Sequence, residues 1–225
     1  MQGHECEAGR PDEPTKTRWD ELSGGIGGRE YAARFAALAA AGTDVHGEAT
    51  LCASLVTPPA RVLDAGCGTG RVASRLAELG FDCVGVDMDE SMLAIAREAT
   101  PSVPWFRGDL ATLTAADLDG ADPFDLVVLA GNVIPLLAPG TVRRSVRAVS
   151  GLLRPGGIVV AGFGLDAEHL PPGCPVTPLE EYDDACTRSG LARVEYFSTW
   201  AREPFVEVAG DKGAGYVVSV HRSAG

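Results

Sequence analysis

Val62-Leu63-Asp64-Ala65-Gly66-Cys67-Gly68-Thr69-Gly70 decides the fold of this chain: an apolar run ends in an acid, and three alternating glycines follow at the head of an amphipathic segment. A strand that delivers Asp64 to its carboxyl end and then turns sharply into a helix satisfies this pattern. Glycine permits the turn and lets a flat ligand lie against the backbone. A dinucleotide-binding loop reads Gly-x-Gly-x-x-Gly. Here the third glycine comes one residue early and Arg71 stands where the last should be, which weakens a pyrophosphate reading.

Outward from this loop, strands and helices alternate. Strands are predicted over 61–65, 82–87, 103–106 and 125–130, with helices over 69–79 and 89–99 between them. Such alternation implies right-handed crossovers and a mainly parallel sheet of the α/β class. Val142, Val146, Val149 and Leu153 form one buried helical stripe, with Arg143, Arg144 and Arg147 on its solvated face. A fifth strand is expected over 158–162. Thr177 then reads as the N-cap of a helix with Pro178 at its first position, Glu180 completing a capping box and Gly190 past its end. Residues 194–199 and 216–221 read as a terminal hairpin with a long loop. Upstream, Tyr31, Phe35 and Leu38 mark a helix over 30–41, and a second runs over 45–55 before Pro58-Pro59.

The chain has 225 residues, 45% of them apolar, enough for one sizeable core. Residues 1–18 are polar and aperiodic and are expected to be a disordered arm, leaving 19–225 as a single domain. No apolar run approaches the roughly 18 residues that cross a bilayer, and the start lacks the basic and apolar regions of a signal peptide. A cytoplasmic protein with no membrane partner is expected. Six cysteines are scattered without a Cys-x-x-Cys pair, which predicts reduced thiols and no structural metal. A net charge of −12 repels phosphate backbones and argues against nucleic acid as a partner.

The loop and its acid resemble the first motif of the class I S-adenosylmethionine-dependent methyltransferases, with Asp64, Gly66, Gly68 and Gly70 matching position by position. Val84-Gly85-Val86-Asp87, Phe106-Arg107-Gly108-Asp109, Phe124 to Leu129 and Leu152 to Gly157 are similar to the family's later motifs, so the resemblance spans roughly residues 30–222. It implies a seven-stranded sheet of order 3-2-1-4-5-7-6, helices on both faces and an antiparallel last strand. It also implies S-adenosyl-L-methionine as cofactor. Asp87 would accept the ribose hydroxyls beside Met88, and Asp109 the adenine amino group beside Leu110. Asp64 would lie near the methionine amino group, with the loop around Cys67 facing the carboxylate. Ala130 and Asn132 would line the methionine portion and the acceptor, and Tyr31 would approach the cofactor carboxylate.

The stretch Ala130-Gly131-Asn132-Val133-Ile134-Pro135 lacks the Asp/Asn-Pro-Pro-aromatic signature of the family's nucleic-acid amino methyltransferases. A small-molecule acceptor is therefore expected. The N-terminal helices, residues 164–176 and residues 201–215 are the segments expected to cover the crevice, the first two as a partial lid. A methyl on a cationic sulfur needs mainly an aligned acceptor. Should the acceptor carry a proton to be removed, His46 and His169 are the candidate bases. Each is also read as an ordinary capping or surface histidine, and Arg71 as a helix-surface arginine. The competing functions are a non-catalytic S-adenosylmethionine sensor, an NAD-dependent oxidoreductase and, through convergence of Cys52, Cys174 and Cys186, metalloid methylation. Oligomeric state is not legible.

Overall fold

The computed structural model of the protein describes residues 16–206 and 215–225; the expected arm lies outside them up to residue 15. Three helices come first: α1 (Arg18–Leu22), α2 (Gly28–Ala40) and α3 (Gly47–Leu55). The alternating body follows as β1 (Arg61–Ala65), α4 (Arg71–Glu78), β2 (Asp82–Asp87), α5 (Glu90–Ala99), β3 (Trp105–Arg107) and β4 (Phe124–Leu129). Beyond it lie α6 (Val133–Leu136), α7 (Val142–Ser150), β5 (Leu153–Gly164), α8 (Leu179–Arg188), β6 (Leu191–Phe197) and β7 (Tyr216–Ser223). Short 3-10 turns occupy Ala115–Leu118 and Ala167–His169.

Among the described residues the strands form one sheet of order β3-β2-β1-β4-β5-β7-β6. The pairs from β3 to β5 are parallel, whereas β7 runs antiparallel to both neighbours. Side chains alternate between two cores, as the pleat requires. Val62, Cys83, Leu126 and Val160 face α3, α4 and α5, while Leu63, Val84, Val127 and Val159 face α7 and α8. Cys52 belongs to the first core and Cys186 to the second, so the sheet separates two of the three cysteines that a metalloid site needs. The five described cysteines are free. No helix among the described residues is long and apolar enough to cross a membrane.

Local differences from the expected elements have physical causes. The fifth strand starts earlier, at Leu153, and its register against β4 jumps between Phe124↔Leu153 and Leu126↔Ile158. Residues 154–157, which precede the expected strand start at 158, thus form a bulge inside the strand, with Gly156 at φ +76°. The capping box at Thr177 is not formed. Pro178 is itself the N-cap of α8, because its carbonyl accepts from Glu181 and Tyr182 while Thr177 is buried one residue upstream. The third strand begins only at Trp105, since Pro104 has no N–H to give a ladder and contributes its carbonyl to Gly85.

Candidate active site

The three glycines after β1 have left-handed φ values of +78°, +53° and +78°, and each uses that freedom differently. A Cβ on Gly66 would lie 2.6 Å from Val133, and one on Gly70 would lie 2.4 Å from the Trp105 ring, so protein fills both spaces. A Cβ on Gly68 would meet nothing within 4 Å. Gly68 is the open cradle of the loop. Its N–H donates to Asp87 Oδ2 at 2.7 Å, and the N–H groups of Gly66 and Cys67 donate to the Val86 carbonyl, which ties the loop to the end of β2.

Above this loop, at the carboxyl ends of β1, β2 and β4, lies an open crevice. It brings together Tyr31, Asp64, Gly66, Cys67, Gly68, Asp87, Met88, Asp109, Leu110 and Ala130. Topology explains the convergence: parallel strands put all their exits on one edge. Asp87 also accepts from the Asp89 N–H at 2.9 Å, and Asp109 from Ala111 at 2.8 Å. Burial pushes the Asp87 carboxyl up, partly offset by the N–H groups of Asp89 and Gly68. Asp64 is 2% exposed and accepts from the Ala73 N–H at 3.0 Å. Burial raises its pKa to about 7, against the lowering pull of that hydrogen bond and of Arg71.

Other expected site residues lie elsewhere. Gly70 is covered by Trp105, whose indole also needs the bare backbone of Gly85. Asn132 does not line the crevice: at φ +68°, its Oδ1 accepts from Gly164 and its Nδ2 donates to the His169 carbonyl, stitching β4 to β5. His46 is an exposed N-cap residue of α3 whose side chain makes no capping bond. His169 pairs through Nδ1 with Asp166 Oδ1 at 2.7 Å on the far side of Asn132. Neither histidine lines the crevice. Among the described residues of the expected covers, only the first of the expected N-terminal helices, over 30–41, reaches it, through Tyr31. Residues 164–176 pack behind Asn132, and residues 207–214 of the third segment lie outside the described residues.

Several residues passed over in the sequence also line this crevice. Thr17 and Trp19 roof it, and Leu136, Leu137 and Ala138 form an apolar wall. Thr17-x-x-Asp20 is a readable helix-start signal; where its helix would land is not. Arg71 is no surface residue. Its guanidinium pairs with both Glu48 oxygens at 2.8 and 2.5 Å, lies 4.6 Å from the Phe35 ring centroid and donates to the Val45 carbonyl. Burial opposes that charge, but Glu48 outweighs it and holds the Arg71 pKa above its usual value.

The reversed β7 in a 3-2-1-4-5-7-6 sheet, with acids from three strand exits around one crevice, defines the seven-stranded methyltransferase class. It departs from a parallel dinucleotide-binding sheet and so removes the NAD-dependent reading. Residues 62–157 match a family model described as a methyltransferase domain. The TehB-like SAM-dependent methyltransferase of Corynebacterium glutamicum has a similar structure, with TM-score 0.75 and 31% identity over 88% of this chain and 98% of that one. The demethylmenaquinone methyltransferase of Beutenbergia cavernae is 33% identical over 58% of this chain and 50% of its own length. The magnesium-protoporphyrin O-methyltransferase of Rhodobacter capsulatus is 40% identical over 35% of each. The chain thus spans half or less of those curated relatives. It belongs to the class I S-adenosylmethionine-dependent methyltransferases, whose cofactor is S-adenosyl-L-methionine.

Proposed function

We propose that the protein transfers a methyl group from S-adenosylmethionine to a small-molecule acceptor. The observation that carries this reading is the convergence of Asp87, Asp109 and the open Gly68 cradle on one crevice. The residues fit the cofactor. Gly68 leaves room for a ligand against the main chain, and a carboxylate has about four acceptor sites, so Asp87 can bond two backbone N–H groups and still receive ribose hydroxyls. Asp109 and Leu110 offer an acid and an apolar contact to adenine, while Asp64 and Tyr31 lie at the methionine end. When bound, the cofactor supplies a methyl group on a cationic sulfur.

The chain's own part is to hold and to shield. Trp19, Val133, Leu136 and Leu137 exclude water, and alignment of the acceptor supplies most of the rate. Residues 19–225 then act as one domain with the N-terminal helices as its lid. A small acceptor is supported by the net charge of −12, by the missing aromatic signature after β4 and by what the relatives' names say they methylate. The same charge argues against nucleic acid, and a cytoplasmic setting agrees with the free thiols.

Calorimetry with S-adenosylhomocysteine tests the site. Asp87→Ala should weaken binding by about 100-fold, the loss expected for two hydrogen bonds to a charged group. Unchanged affinity overturns the assignment. Mass spectrometry of a cell extract incubated with the protein and S-adenosylmethionine should show a methylated metabolite; tight binding with no product favours the sensor instead.

A further inference from the structure

None of the five residues of α1 is buried, yet Trp19 among them and the N-cap Thr17 roof the crevice. A reciprocal capping box stiffens the segment from within: Thr17 Oγ1 accepts from the Asp20 N–H at 3.2 Å, and Asp20 Oδ2 accepts from the Thr17 N–H at 2.8 Å. Two side-chain hydrogen bonds tie it to opposite walls. Trp19 Nε1 donates to Asp89 Oδ2 at 3.0 Å on the β2–α5 side, and Arg18 Nη1 donates to the Pro135 carbonyl at 3.0 Å on the α6 side.

Behind the segment the backbone changes from loose to fixed. Gly24 and Gly25 have φ of +60° and +80°, and a Cβ on either would meet nothing within 4 Å. Gly28 is the reverse: its Cβ would lie 2.2 Å from the Ser91 carbonyl oxygen, and its N–H donates to Ser91 Oγ at 3.1 Å. A strap spanning a cleft, with a free joint next to a pinned one, is built to swing.

Its latch is contiguous with the ribose acid. Asp87 accepts from Gly68 on one oxygen and from the Asp89 N–H on the other, while Asp89 gives one oxygen to the start of α5 and the other to Trp19. The Trp19 ring also meets Tyr31 edge to face, with centroids 5.7 Å apart. We propose that Trp19 is a cofactor-contacting residue carried on this glycine-hinged strap, and that Asp89 is the positioning residue that latches it over the bound nucleoside. The inference rests on the crevice being the cofactor site. A latch that closes after entry governs release more than association.

The probe is radiolabelled S-adenosylhomocysteine, released from the full chain under an excess of unlabelled ligand. Trp19→Phe keeps a ring without the donor. Asp89→Asn keeps one oxygen for the helix start and turns an N–H toward the indole. Each should release ligand roughly tenfold faster, as for one lost hydrogen bond to a charged acceptor, with association within about twofold of wild type. The double variant should release no faster than either single one, because both cut the same bond. Release within twofold of wild type in both single variants overturns the strap alone, and so does a fully multiplicative double variant. A wild-type chain that binds no S-adenosylhomocysteine overturns the cofactor reading and the strap with it.

Discussion

Two N-terminal segments bear on the crevice, α1 through its lining residue Trp19 and α3 through Glu48, which holds the lining residue Arg71, and they are held by opposite means. α3 buries Ala49, Leu51 and Cys52 in the core it shares with α4, and its Glu48 grips Arg71 with both side chains less than 20% exposed. α1 has no buried residue and rests on two hydrogen bonds and the Trp19–Tyr31 ring contact beside a glycine hinge. The difference separates fold from device. Elements tied by buried apolar area open only when the protein unfolds; those tied by a few partly buried contacts open locally at low cost.

Removing the Arg71 side chain is the harshest way to break this contrast. It leaves Glu48 without its partner in a site that water barely reaches, so Arg71→Ala should cost about 2–4 kcal/mol by denaturant unfolding. A loss no larger than that of a strap variant would place α3 with α1.

The next effect concerns Asp64, which feels both Arg71 and Glu48. Its folded pKa of about 7 stands above the ordinary carboxyl value, so the native state holds a proton that the unfolded chain has released. Its contribution is whole below the unfolded pKa and is lost as pH rises through 7. Asp64→Asn should therefore flatten the fall in stability between pH 5 and 8, by about 2 kcal/mol. Ligand binding runs the other way. An ammonium near Asp64 prefers the carboxylate, so affinity for S-adenosylhomocysteine should rise from pH 6 to 8 in the wild type and stay level in Asp64→Asn, as calorimetry across that range would record.

Trp19→Ala should change global stability by less than about 1 kcal/mol in the same denaturant titration, since α1 lies outside the core. Thr17→Ala is the gentlest probe. It removes one half of the capping box, about 1 kcal/mol of local helix stability, and should speed amide exchange in α1 without shifting the unfolding midpoint.

What could be read in the sequence follows the same division. Asp64, Asp87 and Asp109 end strands or follow them in a repeating βα pattern, and strand exits in a parallel sheet share one edge, so their convergence was legible. The glycines were legible as a loop but not as three different spaces, because the Trp105 ring that fills one comes from 35 residues further along the chain. Asn132 follows the expected strand, yet a left-handed backbone turns its amide toward β5. Arg71 heads a helix on which arginine is ordinarily solvated; only the arrival of Glu48 and Phe35 buries it.

Local pattern alone therefore determined the class of fold, the glycine loop and the acids around it, because period and chain reversal are properties of neighbouring residues. Tertiary structure decided which glycine stays open, which arginine becomes a clamp and which tryptophan roofs the crevice. Those outcomes depend on volumes and partners that meet only after distant segments have packed together.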